Sequence, residues 1–196
     1  MTEDADSYIT ILKPAEALYK EKGSRFLAFA YPVSSEEAVK ERLTLLKKNY
    51  YDATHHCYAY LLGAKKTTYK ASDAGEPAHT AGDPILNQIR SKGITDALVV
   101  VVRYYGGVKL GASGLTSAYK VAAYEVLNKA EVIERVVTES FIASFPFYAM
   151  NEAMRLLKKA NAIVVSRDFF EDKVTICAEV KKSMKEQLQT ELNSIR

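Results

Sequence analysis

Apolar residues run unbroken from Ala97 to Val102, the pattern of a buried strand, and a helix-patterned segment from Leu115 follows a short glycine-rich interval. Upstream, residues 8–12, 24–33, 53–62 and 67–71 read as strands. Val39, Leu43, Leu46 and Tyr50 recur at helical spacing behind Ser34, which pairs with Glu37 as a capping box, so a helix is expected to about Tyr50. The polar segment 72–84 carries two glycines and two prolines and reads as a loop. Asp83-Pro84 then supplies an N-cap and a first-turn proline, Ile85, Leu86 and Ile89 an apolar side, and Gly93 a stop. Leu115, Tyr119, Ala122 and Val126 mark a long helix facing a core.

Around Lys129–Glu134 the pattern restarts. Arg135–Phe145 is strand-like, and Phe147, Met150, Met154 and Leu157 form a helix stripe from Pro146. Ala162–Phe169 and Lys173–Val180 are strands about a Glu171-Asp172 turn, and Met184, Leu188, Leu192 and Ile195 mark a last helix behind a Ser183/Glu186 capping box. The order βαββα is a ferredoxin-like split unit lacking its last strand, which predicts an exposed edge near residues 136–145. The class expected is α+β with two domains, residues 1–130 and 131–196.

Composition sets limits on this picture. A chain of 196 residues, 48% hydrophobic, can build a proper core. No apolar stretch approaches a membrane span, and the MTEDADSY start is acidic where a signal peptide is basic, so the cytoplasm is the expected location. Cys57 and Cys177 have neither metal nor redox spacing. The net charge of +3 is too mild to establish a nucleic-acid partner. Its distribution says more: residues 131–196 balance ten basic against ten acidic side chains, whereas residues 84–124 carry Arg90, Lys92, Arg103, Lys109 and Lys120 against Asp96 alone.

Candidate chemistry centres on Arg103-Tyr104-Tyr105-Gly106-Gly107-Val108-Lys109-Leu110-Gly111-Ala112-Ser113-Gly114. The stretch has neither the order of a P-loop nor the spacing of a dinucleotide fingerprint, because Lys109 precedes Gly111 and Gly107, Gly111 and Gly114 lie four and three apart. Two readings stand. It is either a tight strand-to-helix connection or a phosphate cradle, with Arg103 and Lys109 as counter-charges and one tyrosine as a stacking face. Adjacent tyrosines at a strand end point opposite ways, so at most one of Tyr104 and Tyr105 faces a ligand. A zinc site from His55, Cys57 and His79, with Asp73, lacks any paired spacing, and His56 and Cys57 point apart on a strand, which disfavours a Cys57 nucleophile. Asp73, Glu76, His79 and Asp83 are acid/base candidates on the loop; Asp83 already serves as a cap there, and Glu76 beside Pro77 reads as exposed. Neither a cofactor nor a metal is expected.

The strings SDAGEPAHTAGDPIL and ALVVVVRYYGGVKLGASGL, with ATHHCYAY before them, resemble the signature of the IMPACT/YigZ family over roughly residues 8–130. The resemblance implies a βαβ sandwich like that of a small-subunit ribosomal protein, elongation factor G and the GHMP kinases. It implies a second domain similar to the last domain of elongation factor G, in which relatives continue into a further strand. It also picks out Asp73, Glu76, His79, Thr80 and Asp83 as the family-motif loop. Eukaryotic relatives regulate translation by competing for a partner that activates a stress kinase, through another domain. The function expected is therefore that of a non-enzymatic, translation-linked protein binding RNA, the ribosome or a translation-related protein through Arg103, Tyr104, Tyr105, Gly106, Gly107, Lys109, Gly111 and Ser113. Two alternatives are a nucleotide-binding enzyme with a GHMP-like fold, faintly echoed by Leu110–Gly114, and a protein-interaction module using the 73–83 loop and the open sheet edge.

Overall fold

The computed structural model of the chain describes residues 6–195. Five helices and ten strands lie among them, in two compact units, residues 8–135, and residues 136–195 with 6–7. Strand β1 (Ser7–Ile11) is followed by β2 (Ala15–Glu21), β3 (Ser24–Pro32), helix α1 (Glu36–Asn49), β4 (His55–Leu62) and β5 (Thr68–Ser72). Then come α2 (Gly82–Ser91), β6 (Ala97–Tyr104), α3 (Gly111–Lys129) and β7 (Val132–Val136), which pairs with β1.

The first unit is built on one five-stranded sheet of order β2-β3-β6-β4-β5, antiparallel throughout. The central strand β6 is buried on both sides, which is why Ala97–Val102 lacks polar alternation. Its Ala97, Val99 and Val101 join Phe26, Cys57 and Leu61 under the Ile85, Leu86 and Ile89 stripe of α2 and the Leu115, Tyr119, Ala122 and Val126 stripe of α3. Its Leu98, Val100 and Val102 face the other way, with Phe29 and Tyr60, toward Val39 and Leu46 of α1.

Several local expectations shift. Strand β2 was not foreseen; it forms a hairpin with β3 through Lys22 and Gly23, both at positive φ as a two-residue turn of this hand requires. The cap of α1 is Ser35, whose hydroxyl accepts from Ala38 N, and not Ser34 one residue before it. Helix α2 begins at Gly82 with Ala81 at the cap position, so Asp83 lies inside the first turn rather than capping it, and its carboxylate is engaged with His79. Helix α3 starts at Gly111, so Gly111, Ser113 and Gly114 belong to its first turns rather than to the connection before it.

In the second unit β8 (Thr138–Pro146), α4 (Met150–Lys159), β9 (Ile163–Phe170), β10 (Lys173–Lys181) and α5 (Lys185–Ser194) follow in order, with a 3₁₀ turn at Phe147–Ala149. The sheet order is β8-β10-β9, both pairings antiparallel, so β8 is an edge among the described residues. Phe141, Ala143 and Phe145 of β8 and Val174, Ile176 and Ala178 of β10 pack with Ala153, Leu157, Leu188 and Leu192 of the helices. Helix α5 is capped at Met184 with no side-chain bond; Ser183 turns its N–H to Asp6 Oδ1, so no Ser183/Glu186 box forms.

Candidate functional site

The pairing registers place Phe26 of β3, Arg103 of β6 and His55 of β4 side by side across three strands. By alternation from Val99 and Val101 they stand on the side that α2 and α3 cover. A guanidinium there must be paired, since an isolated buried charge is costly. The partner comes from the 73–81 loop. Glu76, expected to be exposed, is 8% accessible, and Arg103 is 5% accessible. Arg103 Nη1 donates to Glu76 Oε1 at 2.6 Å, and Tyr119 of α3 donates its hydroxyl to the same oxygen at 2.8 Å. Arg103 Nη2 reaches Ser24 Oγ at 3.4 Å, while Arg103 Nε is buried without a partner. Cys57 completes the cluster, its thiol pointing to Asp73 O and to the Tyr119 oxygen. Burial pushes the Cys57 thiol up to about 12 and raises the Tyr119 phenol, so both stay protonated at neutral pH. A thiol held so far from thiolate is a structural group and not a nucleophile.

Glu76 can sit there because Asp73 holds the loop. Asp73 Oδ1 accepts from Ala81 N and Gly82 N, and Oδ2 from His79 N, each at 2.9 Å. Burial would raise the Asp73 pKa, but those three N–H bonds outweigh it and keep the carboxyl below its ordinary value. Gly82 lies against the backbone of β5: a Cβ there would stand 2.6 Å from Ser72 N. Buried Thr80 donates to Pro77 O at 2.7 Å, and exposed His79 pairs with Asp83 Oδ2 at 2.6 Å, which raises the His79 pKa. His55, by contrast, turns Nδ1 to Ala74 O. The three zinc candidates therefore face different partners, and among the described residues no cluster of three such side chains could hold a metal ion.

Beyond Arg103 the chain leaves the sheet. Tyr104 packs toward the α1 side, its hydroxyl on Asp52 and the Arg25 guanidinium over its ring. Tyr105 is 47% accessible and lies 5.6 Å from the Arg103 guanidinium. So the tyrosines do divide, one inward and one outward. The β2–β3 hairpin supports the turn: Gly106 N donates to Ser24 Oγ, and a Cβ on Gly106 would fall 1.9 Å from Gly23 C. Tyr105 N donates to Thr54 Oγ1. Gly107, Lys109, Gly111 and Ser113 are exposed, and α3 opens at Leu110 with no side-chain cap on its first N–H groups.

These elements line a cavity of about 400 Å³ that is open to solvent, walled by Pro77, Tyr105, Leu110 and Leu115, floored by Glu76, Arg103 and His55, with Lys109 and Gly111 at its rim. The glycine-rich turn and the 73–83 loop, two separate features along the chain, meet here. Thr54 in the lining, and Ser24 and Tyr119 as partners of Arg103 and Glu76, were not foreseen. Tyr119 could have been suspected, because a buried phenol on an apolar stripe needs a polar partner.

Residues 22–127 match the family described as the Impact N-terminal domain. The chain belongs to this family. The IMPACT family member YvyE of Bacillus subtilis is 40% identical over 129 residues, covering 66% of this chain and 59% of that protein. The chain thus matches less than two thirds of that relative's length. The family member YigZ of Escherichia coli is 29% identical over 166 residues, 84% of this chain and 81% of its own. The crystal structure of a hypothetical protein aligns with 98% of this chain and 96% of itself at a TM-score of 0.76 and 26% identity. Every residue of the cavity floor and rim named above falls within the stretch matched to the IMPACT family. Among the described residues no helix is long and apolar enough to cross a membrane.

Proposed function

We propose that this IMPACT family chain is a translation-linked regulatory protein that acts by binding, and that it holds RNA or ribosomal phosphates at the turn leading into α3. The observation that carries this is the exposed Lys109 beside the uncapped N-terminus of a 19-residue helix, at the rim of a cavity with an exposed tyrosine. Free N–H groups, the positive end of a helix dipole and a lysine together suit a phosphate, and the Tyr105 ring suits a base. Arg103 serves a different part in this reading: already matched by Glu76, it shapes the floor instead of meeting the backbone of the nucleic acid. The translation link rests on family membership and on what the resemblance implies for eukaryotic relatives, and cytoplasmic location belongs to the same reading. The similarity that the family resemblance implies, to the sandwich of translation factors and to the last domain of elongation factor G, is an analogy of fold.

Affinity capture from a native lysate, with and without nuclease, tests the proposal. RNA or ribosomal particles should be retained and then lost on nuclease treatment. A protein partner retained equally in both arms, without RNA, would overturn the phosphate contact.

A further inference from the structure

The cavity floor has an unusual feature in its acceptors. Glu76 Oε1 is occupied by Arg103 and Tyr119, while Oε2 stands 3.8 Å from His55 Nε2, beyond hydrogen-bond reach. His55 Nδ1 lies 3.0 Å from Ala74 O. A carbonyl only accepts, so Nδ1 carries a proton, and a ring holding that one proton leaves Nε2 as an acceptor. Two acceptors thus stand side by side, on two residues that both line the cavity. Their natural complement is a group presenting two N–H donors. Around them the walls are apolar, from Pro77, Leu110 and Leu115, with the Tyr105 ring at one side.

We infer that this cavity takes a single unstacked nucleobase bearing an amino group, from a nucleotide whose phosphate lies at Lys109 and the start of α3. The volume of about 400 Å³ is in the range of small-ligand sites. The exocyclic amine of adenine, cytosine or guanine offers two N–H donors to the paired acceptors. Uracil presents a carbonyl oxygen at the position where cytosine carries its amine, and a third acceptor against Glu76 Oε2 and His55 Nε2 is repelled. The inference rests on the phosphate-binding reading above and adds a base preference to it.

The test is fluorescence anisotropy on the full chain at one fixed salt concentration, with labelled eight-nucleotide RNAs of adenine, cytosine, uracil and purine riboside. Cytosine against uracil is the decisive pair, because two pyrimidines stack alike. The expected result is about tenfold tighter binding of the cytosine and adenine oligomers than of the uracil oligomer, the scale of a good base-edge contact. The purine-riboside oligomer, adenine without its amine, should fall to the uracil level. Equal affinity for all four oligomers overturns the base slot and leaves the phosphate contact standing. A second arm uses the mononucleotides AMP, CMP and UMP. If AMP and CMP bind in preference to UMP while no oligomer binds, the slot stands with free nucleotide as its ligand, and the RNA reading falls. If neither oligomer nor mononucleotide binds, both are overturned.

Discussion

Arg103 and Lys109 stand six positions apart on one glycine-rich stretch, and the fold uses the two cations in opposite ways. Arg103 is the last inward residue of a strand buried from Ala97 up to that point, paired with a carboxylate from a loop 27 residues earlier in the chain. Lys109 lies past the sheet, exposed at the rim of the same cavity. The first holds the cavity's floor in shape, while the second is available to a ligand. The difference shows that positive charge counted along a sequence is a poor guide to positive charge at a surface.

If the floor is structural, breaking it should cost stability. Arg103→Ala leaves the Glu76 carboxylate buried with only Tyr119 and is expected to destabilise the chain by about 3–5 kcal/mol, read from urea denaturation. A loss below about 1 kcal/mol would mean that the pair is solvated, and the contrast with Lys109 would disappear. Asp73→Ala should have the next effect, about 2 kcal/mol, by stranding the three N–H groups that position the Glu76 loop. Asp73 has a depressed folded-state pKa, so its contribution is complete above its unfolded value near 3.8 and is lost as pH falls through the folded value. The stability difference between wild type and Asp73→Ala should therefore be flat from neutral pH to about 5 and shrink below about 4, which thermal denaturation across that range would reveal. His79 runs the other way: its raised pKa means that its contribution is full below about 6.5 and fades as pH rises through the folded value. Tyr119→Phe removes one donor from Glu76 and keeps the ring that packs edge-on against Phe26, so about 1 kcal/mol is expected from the same urea experiment.

How much of this could be read from the chain depends on the range of the signal. The strands facing both cores, the three long helix stripes and the outward turn of one tyrosine were legible, because periodicity is local. Strand β2 was not, since AEALYKE is made of helix-favouring residues and takes its conformation from pairing with β3. The cap of α1 slipped by one because Ser34 and Ser35 are neighbours and only geometry chooses between them. Glu76 was the instructive error. Beside a proline in a polar loop it looked exposed, and only its pairing with Arg103 across the fold buries it. The warning was present at the far end of the pair: an arginine ending a run of four valines needs a carboxylate from elsewhere. The Gly106–Gly23 backbone approach was likewise invisible, since it joins positions 83 residues apart.

Lys109→Ala should change stability by no more than about 0.5 kcal/mol, the smallest effect of the set, because the side chain is exposed. Its effect belongs to binding, and the salt dependence of RNA affinity is where the division between floor and rim is tested most directly. Relative to wild type, Lys109→Ala is expected to weaken RNA binding and to flatten the slope of log affinity against log salt by about one phosphate contact, with an unchanged urea midpoint. An unchanged affinity and slope in that variant would contradict the assignment of Lys109 as the phosphate-facing cation.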